Sequence, residues 1–121
     1  MNADELRIGN YVKYDGEKWT VTSILRDGFV EIYRFGIHKK INIIELLEIT
    51  LTEEWLFKFS FRTEENYCFE LDNISINTKR ELLWIHTKCK NNIELNLPEY
   101  VHQLQNLYFT LTNTELKCEK E

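Results

Sequence analysis

The chain contains three histidines and three cysteines, the side chains most able to bind a transition metal. His86 and Cys89 have the shortest spacing between the two types, and Cys68 and His102 are distant further candidates. On one β-strand, His86 and Cys89 would point to opposite faces because they are three positions apart, which is an odd spacing. A structural role is therefore favoured for these residues, and neither a metal site nor a cofactor is predicted.

Nucleophilic or acid–base catalysis needs side chains that converge on one substrate atom. Cys68 lies in an alternating apolar segment, where burial of a small residue is the commoner role. The pairs Glu53-Glu54 and Glu64-Glu65 are neighbours in sequence, which suits a helix start and a solvated turn. The glycines are too dispersed for a phosphate-binding loop. No catalytic residues are predicted, and a non-enzymatic protein is favoured.

Polar side chains share one face of a helix that the sequence predicts over residues 98–112. Pro98 suits its first turn, and apolar residues recur with helical spacing. An aromatic residue on a polar face is typical of a contact with another molecule, although packing of Phe109 within the chain is the alternative. The candidate partner-binding patch consists of His102, Gln105, Asn106 and Phe109. The stripe predicted to be buried consists of Val101, Leu104, Leu107, Tyr108 and Leu111.

One local cluster combines basic and aromatic residues, the combination with which small barrels bind nucleic acids. A solvated edge strand protected by lysines is the alternative interpretation. The candidate nucleic-acid contacts are Tyr33, Arg34, His38, Lys39 and Lys40.

The net charge of −5 counts against non-specific nucleic-acid binding, which depends on clustered Lys and Arg. Hydrophobic content of 43% is typical of a globular protein, and no apolar run approaches the length of a membrane span. No signal peptide is recognisable, and three cysteines cannot all pair with one another. We therefore expect a cytoplasmic protein without a membrane partner.

The first fifty residues read as short strands joined by tight turns. Alternating apolar residues are separated by Asp15-Gly16, Asp27-Gly28 and Gly36, and such dipeptides favour hairpins. Four or five short strands gain most by curling into a barrel. Residues 1–50 are predicted to form an SH3-like β lobe.

The remaining residues, 51–121, are predicted to form a lobe of order α-β-β-β-(β)-α, packed with the first as one compact unit. Thr52 can cap a short helix, and residues 66–97 read as an antiparallel meander with turns at Asp72-Asn73 and Asn91-Asn92. The closing helix is expected to cover one face of that sheet. The predicted fold class is thus α+β.

Three phrases carry a resemblance to a known group of proteins. They are LRIGNYV at 6–12, LTEEWLFKFSF at 51–61 and YVHQLQNLYF at 100–109. Together they resemble a family of short uncharacterised proteins met in Bacteroides-type genomes, phages and prophages. The resemblance implies no activity and no site residues. The family tends to have glycine where this chain has Ser60 and Asn113, each after a predicted helix where a left-handed cap is common.

These observations favour an interaction or accessory protein, encoded by a phage or another mobile element and binding another protein. The alternative is a small-barrel protein that binds nucleic acid through the basic-aromatic cluster.

Overall fold

The computed structural model describes residues 1–86 and 92–118. The chain divides into two compact units, one of residues 1–50 with 99–116 and one that begins at Leu51 and runs to Pro98, with the residues after Leu116. Residues 99–116, predicted from the sequence to belong to the second lobe, therefore group with the first unit. Cys89, considered as a metal ligand, and Asn91, part of a predicted turn, lie outside the described residues.

The fold is of the predicted α+β class, since the described residues form two antiparallel sheets and one main helix. The first unit contains a four-stranded meander in the order β1-β2-β3-β4. Its strands are β1 (Tyr11–Tyr14), β2 (Glu17–Ile24), β3 (Phe29–Arg34) and β4 (Ile37–Asn42). Short 3-10 turns lie at Ala3–Glu5, Arg26–Gly28 and Ile43–Glu45.

The inward face of this sheet carries the apolar core of the first unit. Val12 opposes Trp19 across the first strand pair, and Val30 opposes Ile41 across the third. All four are buried, as expected when alternate residues of a strand point to one side. Beyond β4 the chain returns to β1, where the backbone groups of Lys13 and Leu47 exchange two hydrogen bonds of 2.9 Å.

The main helix, α2 (Val101–Thr112), begins three residues after Pro98, later than predicted. The backbone N–H of Val101 donates to Ile49 at 2.8 Å, which fixes the helix start within the first unit. Val101, Leu104 and Tyr108 are buried as predicted. Leu111 is 38% exposed, so its prediction as a core residue is wrong.

The second unit contains the short helix α1 (Glu53–Lys58) and a five-stranded meander in the order β5-β6-β7-β8-β9. The strands are β5 (Arg62–Glu65), β6 (Cys68–Leu71), β7 (Ile74–Asn77), β8 (Leu82–His86) and β9 (Asn92–Asn96). Phe69, Ile76 and Leu83 lie opposite one another on three successive strands and are buried. The rings of Phe57 and Phe69 contact each other edge to face, with 5.2 Å between their centroids. Helix α1 therefore packs on this apolar face.

Both helices end at a left-handed residue, at the positions where the family that the chain resembles tends to have glycine. Ser60 follows α1 with φ 74°, and Asn113 follows α2 with φ 57°. Asn tolerates this conformation better than Ser, because its short amide can form local hydrogen bonds. None of the helices in the described ranges is long and apolar enough to cross a membrane.

The helix face can be checked with Leu104, which is completely buried, and Leu111, which is 38% exposed. We expect Leu104→Ala to lower the free energy of unfolding by about 2–5 kcal/mol through the lost apolar contacts and the cavity created. Leu111→Ala should change it by about 0.5 kcal/mol or less. Urea unfolding followed by circular dichroism measures both, and similar losses for the two variants would contradict the assignment.

Candidate functional site

The five candidate nucleic-acid contacts lie together on the hairpin formed by β3 and β4. Tyr33 pairs with His38 and Arg34 with Ile37, and the next two pairs place Lys39 and Lys40 toward the base of the hairpin. His38, Lys39 and Lys40 are exposed, whereas Tyr33 and Arg34 are partly buried. The five residues selected from the sequence therefore lie on one hairpin.

The hairpin presents these side chains on two faces, because successive residues of a strand alternate. On the outer face the rings of Tyr33 and His38 lie 4.8 Å apart. Lys40 shares that face, with its ammonium 5.1 Å from the ring of Phe29. Arg34 and Lys39 belong to the other face. A flat ligand could thus contact only some of the five side chains at once.

Acidic neighbours reduce the positive field of the hairpin. A guanidinium nitrogen of Arg34 lies 2.8 Å from a Glu17 carboxylate oxygen. Lys40 is directly opposite Glu31 in the strand register. Because two of the three cations have an acidic partner or neighbour, the hairpin is less basic than its sequence suggests.

The turn of this hairpin exposes apolar side chains that were not predicted from the sequence to be functional. Phe35 and Gly36 form it in the left-handed region, with φ 46° and 81°. Phe35 is 66% exposed and Ile37 is 54% exposed. The Arg34 guanidinium lies 4.8 Å from the Phe35 ring. The sequence feature that could have indicated this surface is a phenylalanine before the glycine of a two-residue hairpin turn, a position where Asn or Asp is usual.

Tyr67 is a second aromatic residue with a left-handed backbone, with φ 68° and an exposure of 49%. The ammonium of Lys79 lies 5.7 Å from its ring. However, Tyr67 follows the acidic strand end Glu64-Glu65. The basic setting is therefore particular to Phe35 among these two turns.

The candidate partner-binding patch on α2 is largely internal. His102 and Gln105 are fully buried, so these two residues are not part of an accessible surface. The Gln105 carbonyl oxygen accepts from the Tyr11 backbone at 2.9 Å, and its amide nitrogen donates to the carbonyls of Gly9 and Leu116 at 3.1 Å each. The prediction that this polar face is available to a partner is wrong for both residues.

Asn106 and Phe109, the other two members of that patch, contact the segment before β1. The Asn106 side chain accepts from the Asn10 amide at 2.8 Å and donates to the Glu5 carbonyl at 2.8 Å. The guanidinium of Arg7 lies 3.8 Å from the Phe109 ring and forms an ion pair with Glu115. Phe109 is partly buried by this arrangement, which is the within-chain alternative considered from the sequence.

His102 is a buried imidazole, and neither ring nitrogen has a hydrogen-bond partner in the described part of the chain. Its Nε2 lies 3.8 Å from a Glu5 carboxylate oxygen, beyond hydrogen-bond reach. Burial lowers the pKa of His102 because the protonated ring would lose its hydration, while Glu5 and Glu48 act in the opposite direction. The ring therefore favours its neutral form.

The second unit contains two further polar groupings. Cys68 lines an acidic depression of about 220 Å³ together with Arg62, Glu64, Glu65 and Glu70. Its sulfur accepts from the Asn77 amide at 3.8 Å. On the outer face of the sheet, Ser75, His86 and Asn92 form a chain of side-chain hydrogen bonds. No group of three or more potential metal ligands occurs in residues 1–86 and 92–118.

Comparisons with protein-family models, with curated proteins and with solved structures found no match to the chain.

Gln105 provides a test of the internal network. Gln105→Leu would leave the N–H of Tyr11 and the carbonyls of Gly9 and Leu116 without their partner, so we expect a loss of about 2–4 kcal/mol in stability. Gln103→Leu is the matched control, because Gln103 is exposed and only caps the first turn through Tyr100. Equal losses of unfolding free energy for the two variants in urea would show that the buried amide of Gln105 stabilises the fold no more than that of Gln103.

We expect His102 to make the free energy of unfolding depend on pH. Because its pKa is lower in the folded state, the unfolded chain binds more protons once the pH falls below about 6.5. Stability should therefore be unaffected by this residue above that pH and should decrease below it. His102→Leu should reduce this acid-side decrease, whereas His38→Gln, at an exposed position, should not. The free energy of unfolding is measured between about pH 5 and 8. Plots of it against pH that stay parallel for wild type and His102→Leu would contradict the prediction.

Proposed function

We propose that this protein is an interaction protein whose first unit binds another protein, without chemistry of its own, through the β3–β4 hairpin. The observation that supports this most directly is Phe35, a large apolar side chain that is 66% exposed at a basic hairpin tip. Ile37, two residues after Phe35 and the first residue of β4, is 54% exposed. Exposed apolar residues that are adjacent, rather than scattered, are typical of contact surfaces.

Phe35 is unfavourable for the turn that it occupies. A residue with a Cβ atom loses about 1–2 kcal/mol in the left-handed conformation, and only Asn, Asp and Gly adopt it readily. Phe35 has φ 46°, and its ring gains little burial in return. A backbone outlier of this kind supports a role for the side chain outside the folding of the hairpin.

The charge around Phe35 indicates the chemistry of the partner. Arg34, Lys39 and Lys40 follow one another along the hairpin without an acidic residue between positions 33 and 40. We infer a partner segment in which an apolar side chain is flanked by Asp or Glu. The apolar side chain would pack on Phe35 and Ile37, while the carboxylates would meet the cations.

We further infer that the first unit is an SH3-like barrel. The strand order β1-β2-β3-β4 is followed by a 3-10 turn and by the Lys13–Leu47 pairing on the free edge of β1. This return of the chain to its first strand supports a closed sheet. It would leave the β3–β4 hairpin projecting as a loop from the barrel.

The second candidate function is nucleic-acid binding by the same hairpin. The stacked rings of Tyr33 and His38 and the exposed lysines favour it. The acidic neighbours Glu17 and Glu31 and the net charge of −5 weaken binding of a polyanion, which needs several clustered cations, more than binding of a segment with one or two carboxylates. The proposed accessory role in a phage or mobile element rests on the sequence resemblance, and a cytoplasmic location is proposed with it.

Phe35→Asn tests the main proposal because folding and binding should respond in opposite directions. Asn fits the left-handed turn, so we expect stability to rise by up to about 1 kcal/mol. Peptides selected from a random display library on the immobilised full chain should contain an apolar residue flanked by acidic residues. Their binding should be lost with Phe35→Asn and weakened with Lys39→Glu.

The matched control is Ile44→Asn, because Ile44 is 79% exposed in the first unit but lies outside the hairpin. This variant should retain peptide binding. Peptides that bind Phe35→Asn as tightly as wild type would contradict the proposal. Salt-sensitive binding of labelled single-stranded DNA, lost with Lys39→Glu and Lys40→Glu and accompanied by no peptide selection, would favour the second candidate instead.

A further inference from the structure

On the outer face of the second sheet, the hydroxyl of Ser75, the imidazole of His86 and the amide of Asn92 are joined by hydrogen bonds. The Ser75 Oγ lies 2.6 Å from Nε2 of His86. Nδ1 of His86 lies 3.0 Å from the side-chain oxygen of Asn92. These residues belong to β7, β8 and β9, three adjacent strands of the meander.

The strand register explains why the three side chains meet. His86 is directly opposite Asn92, and Ser75 is opposite Trp84, which is two positions from His86 on the same strand. Residues two apart on a strand share a face, so Ser75 and His86 are diagonal neighbours. The alternating residues Ile74, Ile76, Leu83 and Ile85 point to the other face and are buried.

The hydrogen bonds determine how protons are placed on the imidazole. The side-chain oxygen of Asn92 can only accept, so Nδ1 of His86 carries the hydrogen in the neutral ring. Nε2 then has its lone pair directed at the Ser75 hydroxyl, which donates to it. This is the relation between a nucleophile, its base and a group that orients the base.

We propose that Ser75 is a nucleophile that accepts an acyl group from an activated ester. Its Oγ would attack the ester carbonyl carbon while the hydroxyl proton passes to Nε2 of His86. The bond to the leaving alcohol would then break, and His86 would return the proton to that oxygen. The products are Ser75 carrying the acyl group as an ester and the free alcohol, with His86 restored to its neutral form.

The neighbourhood of Ser75 favours an uncharged aromatic ester. Trp84 is its direct cross-strand neighbour, and the indole N–H donates to Glu94 at 2.9 Å, which fixes the orientation of the ring. An aryl group could stack against this indole. Glu70 is the neighbour of Ser75 on β6, so a negatively charged ester would be repelled. A good leaving group is required, because Trp84 already donates to a carboxylate and is not available to an oxyanion.

This inference concerns the second unit and does not depend on the role of the β3–β4 hairpin. The test uses the full chain and p-nitrophenyl acetate near neutral pH, with p-nitrophenolate release followed optically. Peptide mass spectrometry then locates the acetyl group, which separates Ser75 from the slower background at lysine and cysteine. We expect preferential acetylation of Ser75 over Ser23, a serine of β2 in the first unit.

Variants at the three positions assign the roles. His86→Gln should slow acetylation of Ser75 by about 100-fold and abolish its dependence on imidazole ionisation in the pH profile. Asn92→Ala should slow it and alter the same profile, whereas Asn92→Asp should restore the rate, since a carboxylate also accepts from Nδ1–H. All three positions are solvent-accessible at least in part, so we expect the variants to remain folded, which circular dichroism would check.

Two results would overturn the proposal. One is acetylation of Ser75 that is no faster than that of Ser23 or is unchanged in His86→Gln. The other is p-nitrophenolate release that persists in Ser75→Ala but is lost in His86→Gln, which would show direct attack by the imidazole.

Discussion

The first unit depends on one buried side-chain amide, that of Gln105. Its oxygen accepts from the backbone of Tyr11, and its nitrogen donates to the carbonyls of Gly9 and Leu116. Gly9 and Tyr11 lie near the start of the chain, whereas Leu116 follows the helix. A buried backbone group without a partner costs about 1–3 kcal/mol, so each of these hydrogen bonds favours the arrangement in which the helix packs against these segments. Gln105 therefore specifies which part of the chain α2 packs against, a choice that apolar burial alone leaves open.

Local order could largely be predicted from the sequence. The turns at Asp15-Gly16 and the apolar alternation of the strands follow from backbone sterics and burial, which act over a few residues. The left-handed residues Ser60 and Asn113 were expected because the family that the chain resembles tends to have glycine at both positions. β5 was not predicted, because Arg62–Glu65 contains only exposed polar residues and so lacks the apolar alternation that marks a strand.

The tertiary position of side chains could not be predicted in the same way. The helical wheel placed His102 and Gln105 on a solvent face because it treats polar residues as exposed, whereas backbone groups of other segments surround Gln105. Likewise, Ser75 and His86 meet only because β7 and β8 pair in one register. A slip of one residue would send these side chains to opposite faces of the sheet.

Two of the turns in the first sheet show that backbone geometry does not require an aromatic residue at position 35. Asp15-Gly16 has φ 51° and 79°, and Phe35-Gly36 has φ 46° and 81°, so the two turns make the same conformational demand. Asp meets it at lower cost because its side chain can form local hydrogen bonds. The ring of Phe35 is neither a turn-forming group nor a core group, and what distinguishes it is the surface that it presents beside Arg34 and Ile37. The hairpin tip is thus the place in this unit where the residue type is explained by neither the turn nor the core.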